Sequence, residues 1–109
     1  MTKAEINAII KESNQNRHIH WKVEENKKNR IVITNDYDNS IRFTIEKRDE
    51  QFWGGEVGCI EVYDYHMKHE IAYLLQGHRG EPFYCDFEDE RAGWTMAIKK
   101  MVRHFYYYY

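Results

Sequence analysis

Residues 86–105 have the sequence DFEDERAGWTMAIKKMVRHF, and this stretch decides one layer of the fold. Acidic residues crowd its beginning and basic residues its end, which is the order that a helix dipole favours, and Asp86 can cap the helix. Because Gly93 costs a helix about 1 kcal/mol relative to alanine, we expect it to pack closely against a sheet. Apolar residues at helical spacing predict a long amphipathic C-terminal helix: Trp94, Ala97, Ile98, Met101, Val102 and Phe105.

The first half of the chain predicts one helix followed by strands. Apolar positions at helical spacing indicate a short helix over about residues 3–13. Polar turns are expected at 25–29 and 36–40, and alternating or β-branched apolar residues predict strands in the segments 19–23, 31–34 and 41–45. Connections this short join antiparallel strands. The second of these strands is β-branched throughout and is expected to be covered on both faces.

The middle of the chain predicts further strands. A charged turn is expected at residues 47–50, followed by a strand over 52–65. Residues 66–76 fit both helical spacing and strand alternation, and we favour a strand because turn residues and a return strand at 83–85 follow. The chain is therefore predicted to form a single α+β domain over residues 1–109. It would contain a short N-terminal helix, an antiparallel sheet of about four to six strands and the long C-terminal helix.

Length and composition are those of one ordinary globular domain. The chain has 109 residues, of which 42% are hydrophobic and 31% charged. Two cysteines, Cys59 and Cys85, are too few for a secreted disulfide framework, so free thiols are expected. No apolar run approaches the roughly 20 residues that cross a bilayer, and the N-terminus lacks the long apolar stretch of a secretory signal. We expect a cytoplasmic protein without a membrane partner.

The sequence contains no pattern typical of a catalytic, metal or cofactor site. His66 and His69 are three residues apart but lack His-Glu-x-x-His spacing, and zinc would need further ligands from elsewhere in the chain. Cys59 and Cys85 lie in apolar, strand-like segments, where a buried and inert thiol is the usual outcome. We therefore predict no catalytic residue, no metal and no cofactor. A metal- or thiol-dependent enzyme is the third alternative.

Charge and aromatic residues favour a protein partner. Residues 31–90 carry fourteen Asp or Glu against five Lys or Arg, and an acidic surface speeds encounter with a basic partner. The tyrosine run cannot all be buried by one helix face, although Tyr108 and Tyr109 are expected to continue the buried stripe. Exposed tyrosine is common in interfaces, and deleting residues 107–109 is expected to leave the melting temperature nearly unchanged. The predicted binding residues, for another protein or a second copy of the chain, are Glu88, Asp89, Glu90, Tyr106, Tyr107, Tyr108 and Tyr109.

A nucleic-acid partner is the runner-up. Trp21 lies among several cations, and a strand that displays cations beside aromatic rings can bind single strands. Trp21, however, falls on the apolar side of its strand and is expected in the core. The isoelectric point of about 6.3 is also lower than that of a typical nucleic-acid module. The residues that would bind nucleic acid in this alternative are Lys22, Lys27, Lys28 and Arg30.

The small size and the richness in Asn, Lys, Ile and Tyr resemble those of accessory proteins of phages and mobile elements in AT-rich bacteria. This likeness lies in composition and involves no shared motif. It implies a small regulatory protein that inhibits or modulates a host or defence protein, such as a nuclease.

Overall fold

Two helices and six strands make up the part of the chain that the computed structural model describes, which is residues 3–15, 20–36, 38, 40–52, 55–76, 85–87 and 89–109. The strands form one sheet in the order β1-β2-β3-β4-β5-β6, in which β1 to β5 are antiparallel and β6 is parallel to β5. The predicted α+β fold is thereby confirmed. In chain order the elements are α1 (Lys3–Asn14), β1 (Trp21–Lys27), β2 (Arg30–Asn35), β3 (Arg42–Phe52), β4 (Gly55–Asp64), β5 (His69–Gln76), β6 (Cys85–Phe87) and α2 (Glu90–Tyr108).

One core joins both helices to the sheet. The predicted stripe of α2 is buried, apart from Val102, which is half-buried, and Ile6 and Ile10 of α1 enter the same core. Gly93 lies so close to the sheet that a Cβ there would be 2.6 Å from the Phe87 ring. This confirms the close packing expected at Gly93. The sheet contributes alternate residues of its central strands to the core: Ile31, Ile33, Phe43, Ile45, Ile60, Val62 and Leu74.

The predicted charged turn at residues 47–50 is wrong, because β3 continues through it. Strands β3 and β4 pair without a break from Phe43↔Asp64 to Phe52↔Gly55. Charge at these positions does not signal a turn, because the Arg48 guanidinium meets glutamates on its own strand and on β4. The predicted turn at 25–29 is also shorter than expected: β1 extends to Lys27, and only two residues connect it to β2.

The ambiguous segment 66–76 is a strand, as predicted, but only from His69 onward. The residues before it form a turn in which Lys68 has a left-handed backbone, with a φ of 53°. The expected return strand lies at Cys85–Phe87 and runs parallel to β5 rather than antiparallel. Residues 77–84, which include the first two residues of that predicted strand, lie outside the described residues.

Helix α2 begins and ends later than the sequence suggested. Asp89, rather than Asp86, is the N-cap, and its carboxylate accepts a hydrogen bond from the Ala92 N–H at 2.8 Å. At the other end the helix continues to Tyr108, so the basic residues fall before its last turn. Local charge order identified the helix but not its ends, because a cap depends on which carboxylate reaches the free N–H groups.

Neither described helix is long and apolar enough to cross a membrane.

Candidate functional site

A buried carboxylate joins the end of α2 to the turn between β4 and β5. Asp64 is fully buried, and its Oδ1 accepts hydrogen bonds from the backbone N–H groups of His66 at 2.9 Å and Met67 at 3.0 Å. Its Oδ2 accepts from the Tyr109 hydroxyl at 2.8 Å and from His104 Nε2 at 2.9 Å. We call Asp64, His104 and Tyr109 the Asp64 cluster. It fixes the turn and the helix end to each other, because one side chain bonds to both.

Aromatic packing anchors the same helix end. The Trp21 ring stacks on Phe105 with 3.9 Å between ring centroids. Tyr109 meets Trp21 and Phe43 edge-on, with 5.6 Å between centroids in each pair. Burial raises the pKa of the Tyr109 phenol, and its hydrogen bond to Asp64 raises it further. Tyr109 is therefore part of the packed structure, with its hydroxyl held protonated.

Four large apolar side chains remain exposed at this end of the molecule. Tyr65 and Met67 lie in the β4–β5 turn with 48% and 47% of their surface exposed, while Tyr107 and Tyr108 in the last turn of α2 are 71% and 62% exposed. The Asp64 cluster joins the two segments that carry these four side chains, and together the segments form what we call the tyrosine end. The four side chains are the only exposed large hydrophobic residues in the described part of the chain.

Each exposed tyrosine ring contacts a neighbouring side chain that helps to hold it in place. Tyr65 lies 4.8 Å from the Tyr63 ring, and Tyr108 lies 4.6 Å from the His104 ring, measured between centroids. The Arg103 guanidinium lies 5.8 Å from the centre of the Tyr107 ring, a cation–π distance. An exposed ring that is already held in place loses little entropy when something binds to it.

Three cations belong to the segments of the tyrosine end or to the strand beside them. The Arg42 carbonyl accepts a hydrogen bond from the Tyr65 N–H at 2.9 Å, Lys68 lies in the β4–β5 turn, and Arg103 lies one helical turn before Tyr107. Within the described residues, none of these three side chains has a carboxylate at ion-pair distance. The tyrosine end therefore has exposed aromatic rings and, among the described residues, cations without a carboxylate at ion-pair distance.

The predicted binding residues of the tail divide between core and surface. Tyr107 and Tyr108 are exposed, whereas Tyr109 turns inward. The expectation that Tyr108 continues the buried stripe is wrong: Tyr109, four residues after Phe105, takes that role because its hydroxyl reaches Asp64. Tyr106 lies in α2, and its side chain is outside the described part of the structure.

The acidic part of the prediction lies at the opposite end of α2. Helix α2 has 19 residues, so its two ends are about 27 Å apart. Asp89 caps the helix, and Glu90 accepts a hydrogen bond from Trp94 Nε1 at 3.3 Å. Glu88 is outside the described residues. The structure therefore does not bring the predicted acidic and tyrosine residues together.

The cations of the nucleic-acid alternative lie on or beside the β1–β2 hairpin, and three of them are paired with carboxylates. Lys22 lies 4.0 Å from Glu24, Lys27 lies 3.2 Å from Glu25, and Arg30 lies 3.5 Å from Glu46 and 3.6 Å from Glu25. Trp21 is buried in the core, as predicted, and is not available for base stacking. This pairing leaves little positive charge on the hairpin for phosphates.

A cleft of about 370 Å³ lies between that hairpin and the first turn of α2. The side chain of Lys28, at the hairpin turn, contributes to it. Glu90 and Trp94 form part of the opposite wall, so the cleft carries both signs of charge. The remaining lining residues are Asn26, Lys27 and Ile31.

The histidines and cysteines form no reactive set that the structure describes. His66 lies in the β4–β5 turn and His69 begins β5, both exposed. In the described ranges, no three His, Cys, Asp or Glu side chains are grouped as metal ligands would be. Cys59 is a buried free thiol, as predicted, and burial raises its pKa and disfavours the reactive thiolate. The side chain of Cys85 lies outside the described residues.

Sequence reasoning missed the Asp64 cluster, although one signal for it was present. Alternation along β4 places Asp64 on the same side as Ile60 and Val62, which is the core side. An acid at a core position requires hydrogen-bond partners. The sequence indicates that need but does not indicate that His104 and Tyr109 meet it.

Comparisons with known proteins give no relative: no family model, curated protein or solved structure matches this chain. The geometry and chemistry of the tyrosine end are thus the basis for a function.

Proposed function

We propose that this protein is a small binding module, without a catalytic role, that recognises another protein through the tyrosine end. The observation that supports the proposal is the exposure of Tyr65, Met67, Tyr107 and Tyr108 on two segments that the Asp64 cluster joins. Tyrosine, methionine and arginine are enriched in the contact regions of protein interfaces, and aromatic anchors provide much of their binding energy. A group of such residues on a fixed support is typical of a recognition surface.

The support is as important as the exposed rings. Asp64 and His104 form an acid–imidazole pair of a kind also used in catalysis, but Asp64 is fully buried and His104 is only 8% exposed. A buried pair cannot reach a substrate from this position. Its contribution is to hold the turn and the helix end together, so that the exposed side chains are presented in a defined arrangement.

The biological setting that we propose is an accessory protein of a phage or mobile element, acting in the cytoplasm on a host or defence protein such as a nuclease. The small size and the richness in Asn, Lys, Ile and Tyr support this setting. A second copy of the chain is the alternative occupant of the surface. A small nucleic-acid-binding regulator remains the runner-up function.

Photo-cross-linking in the native cells tests the proposal. A benzoyl-phenylalanine would replace Tyr65 in one variant and Tyr107 in another, with Asn7, an exposed residue of α1, as the control position. Because Tyr65 and Tyr107 both lie at the tyrosine end, we expect both variants to form an adduct with the same protein, and the Asn7 variant not to. Mass spectrometry identifies the adduct and separates a foreign protein from a second copy of the chain. Absence of a protein adduct at both positions, or an equal adduct from Asn7, would contradict the proposal.

A further inference from the structure

The five described arginines divide into two groups by their partners. Arg30, Arg48 and Arg91 each lie near a glutamate, at 3.5 Å from Glu46, 2.7 Å from Glu50 and 3.3 Å from Glu5 respectively. Arg42 and Arg103, which flank the tyrosine end, have no carboxylate at such a distance among the described residues. Within the described part of the chain, Arg103 thus lies unpaired beside the exposed Tyr107 ring, whereas Arg42 alternates with the core residue Phe43 and lies on the sheet face away from α2.

Two cations of α2 lie on the same face of the helix as Tyr107. Lys99, Arg103 and Tyr107 are four residues apart and therefore follow one exposed face of the helix. Lys68 adds a further positive charge from the β4–β5 turn. In the described residues neither lysine is paired with a carboxylate.

The nearby acids are already engaged within the chain. Asp64 is buried and accepts four hydrogen bonds. Asp38 accepts from both the N–H and the hydroxyl of Ser40, and these bonds lower the pKa of its carboxyl. Glu70 lies beside Glu61, and burial together with that neighbour raises its pKa. Among the described residues, none of these carboxylates lies at ion-pair distance from Lys68 or Arg103.

We infer that the tyrosine end binds an acidic segment of a partner protein, in which carboxylates lie beside an apolar side chain. The inference rests on the proposed function and names the chemistry of its partner. An arginine forks two N–H donors to one carboxylate, and such charge-assisted bonds are strong and directional. The carboxylates would meet Lys68 and Arg103, while the apolar residue would pack on Tyr107 and Tyr108.

A single-stranded nucleic acid would use the same stacking and ion pairing, but the surrounding charge disfavours it. A nucleic acid several nucleotides long would extend past the few unpaired cations. A short acidic segment can remain within the positive region.

Selection from a random peptide display library tests the inference. The wild-type protein is compared with Lys68→Glu/Arg103→Glu and with Lys27→Glu/Lys28→Glu, a control that makes the same change of net charge on the hairpin. We expect the wild type and the control to enrich acidic peptides that contain an aromatic or aliphatic residue. The tyrosine-end variant should lose that enrichment. All four substituted side chains are exposed, and the melting temperature of each variant confirms that it is folded.

Fluorescence anisotropy with the most enriched peptide then measures the effect. We expect the affinity to fall at least tenfold in Lys68→Glu/Arg103→Glu and less than twofold in the control. Amide replacement of the peptide carboxylates should have an effect like that of the first variant. A selection that yields no acidic peptide, or an equal loss in both variants, overturns the inference. Tighter binding of a 20-nucleotide oligothymidine than of the peptide would overturn it in favour of nucleic acid.

The outcomes distinguish this inference from the proposed function. Neutral or basic peptides that still require Tyr107 and Tyr108 would refute the acidic partner and leave a protein-binding surface. Acidic peptides that bind equally well to Tyr107→Ser/Tyr108→Ser would show that the tyrosines are not the contact and would refute both.

Discussion

The first and last turns of α2 differ in how their polar groups are satisfied. In the first turn Asp89 caps the helix, Glu90 bonds to Trp94, and Arg91 lies 3.3 Å from Glu5 of α1. Gly93 brings the backbone against β4 and β6 without a gap. The first turn therefore stabilises the fold, because these charged and apolar groups contact other residues of the same chain.

The last turns combine a satisfied interior with an unsatisfied surface. Inside, the Asp64 cluster pairs every polar atom that Asp64 presents. Outside, Tyr107 and Tyr108 are exposed, and Arg103 lies beside the Tyr107 ring with no carboxylate of the described residues at ion-pair distance. The difference teaches that the two halves of one helix can serve separate purposes: the first stabilises the domain, and the second offers groups to a partner.

Replacing Asp64 by alanine should have the largest effect, because it removes the group that joins the turn to the helix end. Removal of one partner from a buried polar pair leaves the others unpaired and typically costs about 3–5 kcal/mol. Urea unfolding measures the loss. The control is Asp49→Ala, an exposed acid on β3, for which we expect a change within about 0.5 kcal/mol. A loss below about 1 kcal/mol for Asp64→Ala would show that the cluster does not support the tyrosine end.

Gly93→Ala tests the close packing at the other end of α2. A Cβ would lie 2.6 Å from the Phe87 ring and 2.8 Å from Ile60 Cδ1. Overpacking of this kind costs about 1–3 kcal/mol, and the better helix propensity of alanine returns about 1 kcal/mol. We expect a net loss of stability in urea that is partly recovered when Phe87→Leu is added, a coupling that a double-mutant cycle measures. A gain of stability from Gly93→Ala alone would mean that the contact is loose.

Tyr109→Phe removes one hydrogen bond from the Asp64 cluster and should cost about 1 kcal/mol near neutral pH. The pKa of the Tyr109 phenol is raised in the folded protein, so the folded state keeps its proton at a pH where the unfolded state loses it. The stabilisation is therefore complete below the ordinary tyrosine pKa of about 10 and is lost as the pH rises above it.

Urea midpoints between pH 8 and 11 would measure this dependence. The wild type should lose more stability over that range than Tyr109→Phe does. Some dependence should remain in the variant, because burial also raises the pKa of Tyr73. Equal slopes for the two proteins would contradict a protonated Tyr109 in the cluster.

The smallest effect on stability is expected for Tyr107→Ser/Tyr108→Ser. Both rings are exposed, and serine and tyrosine have similar helix propensities, so unfolding should change by less than about 0.5 kcal/mol. Capture of a partner should nevertheless fall at least tenfold. Deleting residues 107–109 should by contrast lower the melting temperature, since it also removes Tyr109 from Asp64. The structure thus reverses the effect on stability that the sequence alone suggested for that deletion.

The sequence determined the type of each element and much of the core. The stripe from Trp94 to Phe105 predicted α2, and the β-branched run at 31–34 predicted a strand buried on both faces, which β2 is. These features are encoded by periodicity over neighbouring residues, which is a local property. Charge was the less reliable local signal: it suggested a turn at 47–50, where cross-strand pairing instead continues β3.

Only the tertiary structure decided the composition of the tyrosine end. Asp64 meets His104 and Tyr109, which are 40 and 45 residues further along the chain. Two features cannot be read from spacing: the choice of Tyr109 over Tyr108 as the inward ring, and the lack of a carboxylate at ion-pair distance from Arg103 among the residues that the structure describes. Such features depend on which distant side chains the folded sheet brings within hydrogen-bond or ion-pair distance, and local periodicity carries no information about those distances.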